Sequence, residues 1–129
     1  MAARAAATRD DLPADAASND HRNEVLLVGR MTSPAEERIL PSGDVLVTWR
    51  IVVDRPPQPK SSDRRTPTVD TLDCVAWRGD VRRSAASWSV GDTIELSGSL
   101  RRRFWRATTG PVSRTEVEVV RGRRLAKAG

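Results

Sequence analysis

Thr93-Ile94-Glu95-Leu96-Ser97-Gly98-Ser99-Leu100-Arg101-Arg102-Arg103-Phe104-Trp105 is the stretch on which the fold turns. Its apolar and polar residues alternate, which is the period of a half-buried strand. It is too long for one flat strand of a small sheet, and Gly98 falls near its middle, where a glycine marks a bulge or sharp bend. Beyond Gly98 the alternation puts Arg101, Arg103 and Trp105 on one face and Leu100, Arg102 and Phe104 on the other. Two guanidinium groups and an indole in a row are poorly explained by packing, so Trp105, Arg101 and Arg103 are candidate binding residues. Phe104 is read as core.

Working outward, the next segment on the C-terminal side is a turn, Thr108-Thr109-Gly110-Pro111, followed by a closing strand from Arg114 to Val120 with Val117 and Val119 inward. Before the long strand, Val81, Ala85 and Trp88 form one stripe of a short helix, with Asp80 in its first turn or as its N-cap. Thr68 to Trp77 is extended, with Leu72, Cys74 and Ala76 on the core face and Thr71, Asp73, Val75 and Trp77 on the other. Earlier still, Val45, Val47, Trp49, Ile51 and Val53 alternate with Leu46, Thr48, Arg50, Val52 and Asp54, and the first set faces the core. Trp49 and Trp88 are read as core, and Trp77 as outward and functional. The first strand is Val25 to Met31, with a short extended piece at Glu37 to Leu40. Arg55 to Pro67 holds no core-forming residue and reads as an exposed loop carrying Arg55, Lys60, Arg64 and Arg65. Residues 1–22 are read as a disordered leader, or else a short Ala-rich helix. Residues 23–120 are read as the folded domain and 121–129 as a basic tail.

The order is strand, short strand, strand, long loop, strand, helix, strand, strand. This predicts an all-β fold: an OB-fold, a five-stranded Greek-key barrel with one short helix between its third and fourth strands. An open α+β sheet is the structural alternative.

Composition narrows the function. The 129 residues hold 22 Lys+Arg against 17 Asp+Glu, a formal charge of +5. The charge is uneven, with nine basic and two acidic residues in 101–129. That bias favours a polyanionic partner. One cysteine, Cys74, and one histidine, His21, leave no basis for a disulfide framework, a Cys-built zinc site or a Ser-His-Asp triad. Glu116 and Glu118 share a strand face but have no evident third metal ligand. No enzyme and no cofactor is predicted. No apolar run approaches the roughly 20 residues of a membrane span, and the alanine-rich start is broken by charges, so the predicted location is the cytoplasm, with no membrane partner.

Five stretches together resemble the bacterial single-stranded DNA-binding protein (SSB) family. They are Asn23 to Arg30, Pro41-Ser42-Gly43 with the strand through Trp49, Leu72-Asp73-Cys74-Val75-Ala76-Trp77, Gly91-Asp92 with Ile94 to Trp105, and Arg114-Thr115-Glu116-Val117. The resemblance implies sequence-tolerant binding of single-stranded DNA by aromatic stacking and Arg/Lys–phosphate contacts, in replication, recombination or repair. It also implies a homo-oligomer, a tetramer by resemblance or a dimer. Outward Leu46, Val52 and Leu26 are compatible with such an assembly. The reading assigns Trp105, Trp77, Arg101, Arg103, Arg50, Arg55, Lys60, Arg64 and Arg65 to the strand. The family's aromatic six residues before Trp77 is Thr71 here, and its aromatic after the second strand is replaced at Pro56-Pro57. The family's acidic, aromatic tip has no counterpart in 121–129. The chain is therefore read as a short, divergent paralogue without partners that dock on that tip. The competing reading is an accessory OB-fold subunit that hetero-oligomerises with another SSB and touches nucleic acid weakly.

Overall fold

The computed structural model describes residues 20–57 and 67–129. Six strands and one helix follow in order: β1 (Val25–Met31), β2 (Glu36–Ile39), β3 (Val45–Asp54), β4 (Val69–Ala76), α1 (Gly79–Ala86), β5 (Thr93–Ala107) and β6 (Gly110–Ala126). The sheet runs β1-β5-β6-β4-β3-β2, and a further β1–β3 pairing closes it into a barrel. All pairs are antiparallel except β4–β6, which is parallel at Cys74↔Val117 and Val75↔Glu118. Set aside the four-residue β2, and this is the predicted five-stranded OB barrel with its helix between the third and fourth strands.

Alternation places the core as the sequence requires. Trp49, Ile51, Cys74, Ile94, Leu96, Val117 and Val119 turn inward into one cluster. Helix α1 packs against β6 and β3 and contributes Val81 and Ala85, with Trp88 just beyond it. Trp49 and Trp88 meet edge to face, with ring centroids 5.8 Å apart. That geometry sets the positive edge of one ring against the negative face of the other.

The predicted irregularity falls at Gly98, but the bulge itself is on the facing strand: the β5–β6 register shifts between Ser97↔Arg121 and Gly98↔Val119, which leaves Val120 of β6 as the extra residue. A Cβ there would stand 1.9 Å from the Glu118 carbonyl oxygen, so only glycine allows β6 to cross this close. This crossing divides β5. Its first half is held between β1 and β6, from Val25↔Gly98 to Arg30↔Thr93. Asn23 then clamps Leu100 at both its N–H and its carbonyl, each at 2.8 Å. From Arg101 to Ala107, β5 pairs with β6 alone. This two-stranded arm of seven residues reaches about 20 Å from the barrel at ~3.3 Å per residue.

Four sequence expectations fail for related reasons. Phe104 is not core but 73% exposed, because it lies on the face of the arm that no third element covers. Leu46 and Val75, assigned outward, are buried. Leu46 faces Arg38 of β2 across one ladder and, by continuation of the β3–β4 register, the position of Trp77 across the other. Val75 stands between Thr48 and Glu118. Neighbours on both sides remove these positions from water even on the outer face. Last, residues 121–126 are not a tail, because β6 runs on to Ala126 along the first half of β5. Arg123 pairs with Glu95 at 3.0 Å and Arg124 with Asp92 at 3.5 Å, and Asp92 also accepts the Ala128 amide at 2.8 Å. Of the expected leader over 1–22, positions 1–19 lie outside the described residues.

Candidate nucleic-acid interface

The two-residue turn at Thr108 and Thr109 sets the arm's register: Ala107↔Gly110, Trp105↔Val112, Arg103↔Arg114, Arg101↔Glu116. Residues opposite each other across an antiparallel pair share a face. Trp105, Arg103 and Arg101 therefore lie together, as the alternation predicts, and Arg114 joins them. Trp105 is 44% exposed, and the Arg114 guanidinium sits 5.7 Å from its ring centroid. One face of the indole thus carries a cation, and the exposed remainder is open to a second planar group.

Towards the barrel this face becomes a charge lattice. Arg101 Nε donates to Glu118 at 2.9 Å, and Arg103 approaches Glu116 at 3.8 Å. Arg50 Nε donates to Asp73 at 2.8 Å, and Arg114 reaches the other oxygen of the same carboxylate at 3.7 Å. Arg50 and Asp73 are opposed across β3–β4. A cleft of about 300 Å³ opens here, lined by Arg38, Arg50, Asp73, Arg103, Arg114 and Glu116 among others. Burial pushes the Glu116 carboxyl up from its usual range, against the pull of Arg103. The arginine partners are exposed, and ion pairs of that kind contribute only about 0–1 kcal/mol. The carboxylates therefore hold the guanidinium groups in a row without locking them, and a phosphate can take their place.

Trp77 is 38% exposed just after β4. Extending the parallel β4–β6 register puts it level with Val120, while Trp105 is level with Val112. The separation along β6 is then about 25 Å at ~3.3 Å per residue. The two indoles bracket the arginine row. Arg55 stands apart at the base of the β3–β4 loop, held by Asp70 at 2.7 Å. That hydrogen bond is also what draws the Asp70 carboxyl below its usual range. Lys60, Arg64 and Arg65 lie outside the described residues. Thr71 is exposed on β4, opposite Val52.

Sequence reasoning missed Arg114 as a site residue and missed Asp73, Glu116 and Glu118 as its organisers. The signal was the turn. Centred on Thr108 and Thr109, it pairs position 103 with 114; read as the four residues 108–111, it leaves the register open.

An arm of arginines and an indole on a small closed barrel invites comparison with known proteins. The model of the single-strand binding protein family matches residues 22–124. The chain belongs to that family. Among curated SSB-family relatives, it is 31% identical over 88 residues to single-stranded DNA-binding protein 3 of Streptococcus agalactiae, covering 68% of this chain and 62% of that one. It is 32% identical over 97 residues to single-stranded DNA-binding protein A of Bacillus subtilis, covering 74% of this chain and 55% of that one. The chain thus spans little more than half the length of such relatives. Among solved structures, a Plasmodium falciparum SSB complex with ssDNA superposes with a TM-score of 0.68 at 19% identity, covering 84% of this chain and 96% of that one. The likeness is one of fold, and it agrees with the OB barrel described above.

Proposed function

We propose that this protein binds single-stranded DNA with little regard to sequence, in replication, recombination or repair, and catalyses nothing. The observation that carries the reading is the shared face of Trp105, Arg114, Arg103 and Arg101 on the arm, continued by Arg50 on the barrel. A single strand presents unstacked bases and a charged backbone. Stacking serves every base because every base has a π-face, and arginine forks onto phosphate. Family membership and the relatives' names support the same ligand. Trp77 extends the path, and Arg55, Lys60, Arg64 and Arg65 add charge from the loop. A cytoplasmic, nucleoid-associated location follows from that ligand; among the described residues, no helix is long and apolar enough to cross a membrane.

The protein acts as a homo-oligomer, tetrameric as the family resemblance implies. Leu26 and Val28 support this, 46% and 45% exposed side by side on the outer face of β1. The test is a titration with oligo-dT across a salt series, beside a mass measurement. Binding that weakens as salt rises, by a mass larger than one chain, is the expected result. Absence of binding at low salt overturns the proposal.

A further inference from the structure

The arm has a second face, and its charge is arranged differently. Leu100, Arg102, Phe104 and Arg106 alternate with the residues of the Trp105 face, and opposite them stand Val117, Thr115, Ser113 and Pro111. Phe104 is 73% exposed, the most exposed aromatic among the described residues, and Leu100 is 47% exposed. The Arg102 guanidinium lies 5.8 Å from the Phe104 ring centroid and donates to Ser113 Oγ at 3.2 Å. Among the described residues, neither Arg102 nor Arg106 has a carboxylate within ion-pair distance. On the Trp105 face, by contrast, Arg101, Arg103 and Arg114 all meet acids.

We infer that this opposite face, built on Phe104, Arg102 and Arg106, is a second contact strip for single-stranded nucleic acid, so that a bound strand engages both sides of the arm. The inference rests on the single-strand-binding reading and extends it to residues with no place in that reading. The physical argument is charge complementarity joined to a planar ring. Guanidinium groups without a carboxylate attract a polyanion without first displacing an internal anion. An apolar ring held in water gains by covering itself, and a base covers it while its phosphates meet the flanking arginines. A protein partner of apolar character is disfavoured, since it would bury two cations that lack a carboxylate. The arm is two strands thick, and its outer part is exposed on both sides at Trp105 and Phe104, so a chain passing its turn at Thr108 and Thr109 reaches either face.

The experiment places a reporter on the second face. Phe104→Trp is introduced in a Trp105→Phe background and compared with Trp105→Phe alone, so the difference in emission belongs to the indole introduced at position 104. Saturating long oligo-dT should quench that indole. Separately, the double variant Arg102→Ser with Arg106→Ser should reduce the salt dependence of long oligo-dT binding. The slope of log K against log salt should fall by roughly 0.7 for each phosphate that an arginine no longer neutralises, about 1.4 in all. An unquenched indole at 104, or an unchanged slope, overturns the inference. If wild-type Trp emission is quenched in that case, the first binding reading stands by itself. If wild-type protein neither binds nor quenches, both fall together.

Discussion

Trp105→Ala isolates the stacking contribution. The ring is 44% exposed on an arm outside the barrel core, so its removal opens no cavity. Folding stability should stay within about 0.5 kcal/mol of wild type, as for surface substitutions generally. The contact of Arg114 with the ring at 5.7 Å exists without ligand, so its removal cancels to first order between free and bound states. What remains is one base stack, roughly 1–3 kcal/mol. At about 1.4 kcal/mol per factor of ten, affinity should fall roughly 5- to 140-fold. Trp105→Phe retains a smaller ring and should fall between. Binding is read by the anisotropy of a labelled oligo-dT, because the variant lacks the intrinsic reporter at position 105. Trp49 and Trp88 are buried and report folding in the same samples. The weakening should be similar for oligo-dT and oligo-dC, since stacking does not read base edges. Binding within twofold of wild type would refute the reasoning, as would a large fall in melting temperature, which would assign the ring a structural role.

Glu116→Gln should tighten binding, because it removes the negative charge facing Arg103 and Arg114 beside Asp73 and Glu118. Burial raises the Glu116 carboxyl, so it takes up its proton at a higher pH than an ordinary glutamate. Wild-type affinity should therefore rise as pH is lowered, and the variant's profile, measured by anisotropy, should be flatter. Gly98→Ala forces a Cβ against the Glu118 carbonyl oxygen, and urea denaturation should show a loss of about 1–3 kcal/mol or more. The Cys74 thiol is 2% exposed and pushed up to about 12, chiefly by burial, so a disulfide reagent at a pH of about 8 should leave it intact until the protein is unfolded. The Asp92 carboxyl is held below its ordinary range by the amides of Ser89 and Ala128, with help from Arg124. The stability it contributes is complete above the unfolded value near ~3.9 and is lost as pH falls through the lower folded one. Asp92→Asn should lower the melting temperature at neutral pH and shrink that acid-side dependence.

Much of the barrel was legible because its evidence is local. Val45 to Val53 alternates over enough residues to name a strand and its inner face, and Val81, Ala85 and Trp88 announce a helix by their spacing. Trp49 and Trp88 were assigned to the core correctly for the same reason. Gly98 marked the close crossing opposite which β6 bulges at Val120, since only a residue without a Cβ fits between Ser97 and Ser99 there. The site was legible in part: Arg101, Arg103 and Trp105 share a face by period alone. The carboxylate partners of Arg101 and Arg103 come from β6, and that of Arg114 comes from β4, and no spacing within β5 announces them.

The sequence by itself determined which residues share a side of each strand, where the chain turns and where it bends. Only the tertiary structure decided which of those sides meet water. Leu46 and Val75 are covered by strands brought alongside from elsewhere in the chain, and Phe104 is uncovered because none arrives. Arg121 to Ala126 became strand because the first half of β5 offered an unpaired edge. Alternation is a property of one chain segment and its backbone geometry, whereas burial is a property of neighbours. Those neighbours are chosen by closure of the barrel.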